Sequence, residues 1–84
     1  MKSYREIAWE TGTTIKDVRA LMKMAKKREV PCDHYYNDYS GFFIDLADTS
    51  RVEIVIDTFW SVRGVRGRTR EEAVINALNN GFRA

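Results

Sequence analysis

The sequence predicts an α+β fold: two short helices, a three-stranded antiparallel sheet and a C-terminal helix, in that chain order. Three observations predict it. Apolar residues recur at three- and four-residue steps as far as Ala25. Between Phe42 and Val62 they alternate with polar neighbours. After Thr69 the helical period returns.

Ser3 and Glu6 form a capping box, in which the hydroxyl accepts from the Glu6 amide and the carboxylate reaches back to the Ser3 N–H. The first helix then runs from about Tyr4 to Thr11, with Tyr4, Ile7, Ala8 and Thr11 on its inner side. Gly12 stops it by adopting a positive φ at low cost. Thr13 or Thr14 starts the second helix, with Asp17 three residues after Thr14 as a weaker box. Ile15, Val18, Leu21, Met22 and Ala25 make its inward stripe, and Lys16, Arg19, Lys23, Lys26 and Lys27 lie mostly outside it. The helix is expected to end around Arg28, because Pro31 cannot continue it.

From Pro31 the period changes. Residues 33–36 lead into a turn at 37–41, and Phe42, Ile44 and Leu46 alternate as a strand. After a second turn at 48–51, residues 52–62 give the longest strand signal in the chain. Short connections favour antiparallel pairing. Gly64 and Gly67 are expected to break that strand. Thr69 with Glu72 is a third capping box; Val74, Ala77 and Leu78 are the buried stripe, and residues 79–81 the stop. The whole is read as one domain: helical pair at 1–30, sheet at 31–63, helix at 68–81.

In 84 residues with 44% hydrophobic content, one packed core is the expectation and wholesale disorder is not. No apolar run suits a membrane span, no signal segment opens the chain, and Cys32 has no disulfide partner, so a cytoplasmic setting is expected. The net charge of +2 hides a pattern. Residues 1–28 carry +5, residues 29–57 carry −6, and residues 58–84 carry +3. Two basic ends suit a polyanionic ligand.

Residues 3–28 resemble the helix-turn-helix family of DNA-binding domains. Ala8 is the small residue of the first helix, Gly12 the turn glycine four positions later, and Ile7, Val18 and Leu21 occupy inward positions. Steeply crossing helices need a small contact residue and a glycine in a tight turn. The expected site residues are Thr13, Thr14, Lys16, Asp17, Arg19, Lys23, Lys26 and Lys27. The resemblance implies that the second helix enters the major groove, with Thr13 and Thr14 on phosphate and Lys16, Asp17, Arg19, Ala20 and Lys23 facing DNA. Arg19 or Lys16 reads guanine, while Asp17 either accepts from cytosine or caps its own helix. Thr13 departs from the aliphatic residue usual in the family. With no helix in front, the chain looks more like the compact MerR and excisionase type, in which a β-hairpin wing follows the recognition helix. Residues 33–36 and 42–47 are the expected wing strands, although the tip at 37–41 lacks the cations that phosphate favours.

Arg63, Arg66, Arg68 and Arg70 form a second basic cluster among Gly64 and Gly67, read as auxiliary phosphate contacts. A strand, a Gly/Arg loop and a helix in that order faintly resemble the end of double-stranded-RNA-binding domains, but Glu71 and Glu72 stand where those have lysines. Cys32, His34 and Asp38 fall short of a zinc site, so no metal or cofactor is expected. His34 is the only histidine and no catalytic motif appears, so an enzyme is not expected. The surplus of aromatics in the sheet suggests a subunit interface along 52–62. The expectation is therefore a small homodimeric transcriptional regulator on duplex DNA, of a kind that suits a phage. Its rivals are a phage-type inhibitor that binds a protein through the acidic sheet at Asp38, Asp45 and Asp57, and an RNA-binding protein that uses the loop from Arg63 to Arg70.

Overall fold

A computed structural model describes residues 2–30, 39–49, 57–59 and 62–83. The elements in chain order are α1 (Tyr4–Thr11), α2 (Ile15–Met24), β1 (Lys26–Val30), β2 (Tyr39–Asp45), a 3-10 turn (Leu46–Asp48), β3 (Asp57–Phe59), β4 (Val62–Gly67) and α3 (Arg70–Asn79). The fold is α+β, with helices at both ends and an antiparallel sheet between them.

Each helix begins at the cap its sequence announces. Ser3, Thr14 and Thr69 accept from the amides of Glu6, Asp17 and Glu72 through their side-chain oxygens, at 3.1, 3.2 and 3.0 Å. Each cap satisfies one of the amides that a helix start leaves without a partner. The Glu6 carboxylate faces the Ser3 hydroxyl at 3.4 Å. Lys2 ties the chain's start to two helices: its amide donates to Glu71 at 3.2 Å and its ammonium to Glu10 at 2.6 Å. The hydrogen bond it donates to the Glu10 carboxylate holds that ammonium's pKa above the usual lysine value.

α2 ends four residues earlier than its sequence suggests. Ala25 turns extended (φ −67°, ψ 117°), and Lys26 begins a strand. The cause is tertiary. Residues 26–30 pair antiparallel with residues 43–39 of β2, which replaces the lost helical bonds. The Arg70 guanidinium, arriving from α3, donates to the Met22 carbonyl at 3.2 Å and so caps an end that has neither glycine nor proline. The expected turn at 37–41 is corrected in its second half, since Tyr39, Ser40 and Gly41 belong to β2. The expected strand at 33–36 lies outside the described residues, but the wing pairing expected for 42–47 is corrected: Phe42 and Phe43 are flanked by β1 and β4, and the strand ends at Asp45.

The sheet order is β1-β2-β4-β3, antiparallel throughout. Phe59 stands opposite Val62, so β3 and β4 are two strands running in opposite directions. A continuous strand over 52–62 is thereby corrected. Gly64 and Gly67 do not break the chain either; both lie inside β4. A Cβ at Gly64 would meet the Ile44 carbonyl and, at 2.8 Å, the Phe43 ring, and one at Gly67 would sit 2.7 Å from the Ala73 Cα. Both glycines are therefore close-approach positions, where backbone passes too near for any side chain.

One sheet face carries the helices. Ile44 opposite Val65, both fully buried, meets Ile7, Ala8, Val18, Leu21, Met22, Ala73, Val74, Ala77, Leu78 and Phe82 in a single cluster. α3 is further held by its Asn76 amide, which donates to the Arg66 carbonyl at 3.0 Å. The expected inward residues of α2 and α3 are buried except Ile15, which is 38% exposed; on α1, Ile7 and Ala8 are buried but Tyr4 is 36% exposed and Thr11 half-buried. As the first residue of α2, Ile15 flanks the stripe and has no preceding turn to press it inward.

Candidate nucleic-acid interface

The α1–α2 unit is assembled by its turn. Gly12 sits at φ 66°, ψ 33°, which lets the Thr13 amide reach back to the Ala8 carbonyl (2.9 Å) and the Gly12 amide to Trp9 (3.3 Å). This pair of bonds closes α1 and aims the chain into α2. Inside the turn, Thr11 donates to the Ile7 carbonyl at 2.7 Å, and the Thr11 and Thr13 hydroxyl oxygens stand 2.8 Å apart. Thr11 has spent its proton, so Thr13 donates to it. The Thr14 hydroxyl likewise donates to Asp17 (3.0 Å) while accepting that residue's amide. The hydroxyl protons of Thr13 and Thr14 are thus engaged locally, and the carboxylate of Asp17 accepts from the Thr14 hydroxyl that caps the helix.

The opposite side of α2 is cationic. Val18 and Leu21 are fully buried and Met22 nearly so, while Lys16, Arg19 and Lys23 are exposed. None of the three has an ion-pair partner among the described residues. At 1.5 Å rise per residue they span about 10 Å along the helix, within reach of two or three base pairs. Ala20 between them is half-buried. Lys26 and Lys27, expected on the helix, stand exposed on β1. Because one residue separates α2 from β1, Lys23 and Lys26 remain neighbours in the chain across the change of structure. Lys26 and Arg28 share one face of β1 and line a concavity with Phe43, Asp45 and Asp48, the Arg28 guanidinium 5.1 Å from the centre of the Phe43 ring.

The second basic cluster is divided by the fold. Arg63 and Arg66 lie in β4, and Arg68 follows it, so what reads as a Gly/Arg loop is largely strand. Arg63 and Arg68 are separated by about 16 Å along the strand direction. Arg63 borders a shallow concavity with Asp45, Leu46, Ala47 and Val62, whereas Arg70 stands at the C-terminal end of α2. Arg70 also stacks on Phe42, 5.0 Å from the ring centre, so its guanidinium serves the joint between α3, α2 and β2. Arg68 and Arg63 are exposed, and Arg66 is half-buried.

Of the acidic residues offered as a protein-binding face, Asp45 is committed locally, its carboxylate accepting the Ala47 amide at 2.8 Å. Asp38, the side chain of Asp57, and Cys32 and His34 lie outside the described residues. Sequence reasoning missed Trp9, which is 86% exposed on α1. The signal was available: Trp9 falls about 150° around the helix from the centre of the Ile7, Ala8 and Thr11 face. A Trp9→Gln variant is expected to shift the melting temperature by less than about 4 °C, because an exposed residue contributes little to folding. Differential scanning fluorimetry or circular dichroism checks it.

Among the described residues no helix is long and apolar enough to cross a membrane. Comparisons with protein-family models, with curated proteins and with solved structures find no match to this chain.

Proposed function

We propose that this protein binds duplex DNA sequence-specifically, with α2 in the major groove, as a small homodimeric transcriptional regulator in the cytoplasm. One observation carries the reading. Lys16, Arg19 and Lys23 stand exposed and without an ion pair among the described residues, on the side of α2 turned away from Val18, Leu21 and Met22. α1 is braced across that helix by the Gly12 turn. Such a helix offers long cationic side chains to phosphates and guanine edges, while its far side is anchored to the core. The homodimer belongs to the proposal because one helix reads too few base pairs for useful specificity, and paired half-sites double the reading.

Selection of bound sequences from random duplexes tests both parts at once. The expected product is a palindromic consensus with half-sites about one helical turn apart. Failure to retain any duplex at about 50 mM salt, where phosphate contacts are strong, refutes the reading.

A further inference from the structure

We propose that Ile15 is a specificity-determining residue whose side chain packs on the C5-methyl group of a thymine. The inference rests on the reading of α2 as the helix that enters the major groove.

Ile15 is the departure from an otherwise strict division of α2. Val18, Leu21 and Met22 are 0%, 0% and 3% exposed, and the other exposed residues of α2 are the cations Lys16, Arg19 and Lys23. Ile15 alone puts a large aliphatic side chain, 38% exposed, outside the cluster that collects the apolar residues of this helix. Its position is specific. Ile15, Arg19 and Lys23 follow one another at four-residue intervals, which places them along a single ridge, with Lys16 beside its first turn. An apolar group thus heads a ridge whose other members are exposed cations.

Those cations determine the partner. A surface of Lys16, Arg19 and Lys23 draws a polyanion, and a duplex is the polyanion whose groove admits a helix. Within that groove the base edges present hydrogen-bonding groups and one aliphatic group, the thymine methyl. A β-branched side chain suits that contact, because its two heavy atoms on Cβ restrict χ1 and leave it little freedom to lose on docking. Ile15 also lies at the N-terminal end of α2, the end that approaches base edges most closely when such helices dock. The reading separates roles along the ridge: Arg19 and Lys23 supply charge and hydrogen bonds, and Ile15 tests for a methyl group.

The test uses the full chain and a duplex bearing its selected consensus. Each thymine is replaced in turn by deoxyuridine, which lacks only the methyl group. At one position per half-site the wild-type protein is expected to lose about fourfold in affinity, the worth of one buried methyl. The Ile15→Ala protein is expected to bind the thymine duplex several-fold more weakly and to be indifferent to deoxyuridine at that same position. Its salt dependence should match wild type, because no phosphate contact is removed. Three results overturn the inference while leaving DNA binding intact: a consensus without thymine, wild-type indifference to every deoxyuridine, or undiminished methyl sensitivity in Ile15→Ala. The first two need no variant, so a folding defect cannot obscure them. Failure of the wild-type protein to bind any duplex overturns the underlying reading, and the inference with it.

Discussion

Replacing Lys16, Arg19 and Lys23 together by alanine is expected to abolish specific duplex binding while leaving the protein folded and marginally more stable. Affinity should fall by a factor on the order of 100 to 1,000,000, since each lost contact to a base edge or phosphate is worth about 1–3 kcal/mol and the three act on one duplex. The dependence of log affinity on log salt should flatten by about 0.9 for each of the three that neutralises a phosphate. The stability sign follows from spacing. Lys16 and Arg19 are three residues apart and Arg19 and Lys23 four, so both pairs are like-charge neighbours on one exposed face. Each such pair costs about 0.2–0.5 kcal/mol, and alanine is the best helix former. A face that a protein keeps at a small cost in stability is more readily explained by a ligand than by folding. Fluorescence anisotropy at several salt concentrations, beside a thermal melt, reads both effects. Unchanged affinity with an unchanged salt slope would show that duplexes bind elsewhere.

What the sequence revealed and what it concealed divide along physical lines. All three helix starts were legible, because a cap and its acidic partner act within four residues: Ser3 with Glu6, Thr14 with Asp17, and Thr69 with Glu72. The inward stripes of α2 and α3 were legible for the same reason, since period alone placed Val18, Leu21, Val74, Ala77 and Leu78 in the core. The change at Ala25 was not. Lys26 through Glu29 are polar and show neither period, so helix and strand compete on equal terms until β2 supplies a partner. Gly64 and Gly67 misled in another way. Glycine marks turns by its torsional freedom, but at these positions its value is the missing Cβ beneath Ile44, Phe43 and Ala73, a contact between distant segments. The same long-range pairing split the arginines: Arg70 was drawn to the end of α2 and Arg63 left at the far end of β4. At the candidate site, residue identity disclosed the cations. Only the folded structure disclosed that Thr13, Thr14 and Asp17 use their polar groups on one another and on the turn, and that Ile15 stays 38% exposed at the edge of the stripe.

Truncating Phe82 to alanine is expected to cost about 3–5 kcal/mol, the largest loss of stability expected from a single side chain among the described residues. Phe82 is fully buried and heads the described side chains of that class by volume. It lies beyond the end of α3, in a stretch with no helical or strand period of its own. The chain delivers it to the core through a C-terminal motif: Gly81 at φ 87° lets the Phe82 amide reach the Ala77 carbonyl at 2.9 Å and its own amide reach Leu78 at 3.2 Å. The ring then joins the cluster that contains Ile7 and Ala8 of α1, Val18 and Leu21 of α2, and Ile44 and Val65 of the sheet. Its removal opens a cavity shared by every layer. A domain of this size is stable by only about 5–10 kcal/mol, so the melting temperature should fall by roughly 15–30 °C. The consequence for binding separates scaffold from interface. Phe82 is remote in sequence from the cationic ridge and wholly enclosed, so Phe82→Ala should bind duplex with wild-type affinity at temperatures where it remains folded. It should lose binding in step with its thermal transition. The α2 triple-alanine protein is its mirror image, folded at every temperature where wild type is folded and weak in binding at all of them. Weak binding by Phe82→Ala in the cold would mean that core packing sets the aim of α2, and the ridge could then no longer be treated as independent of the layer beneath it.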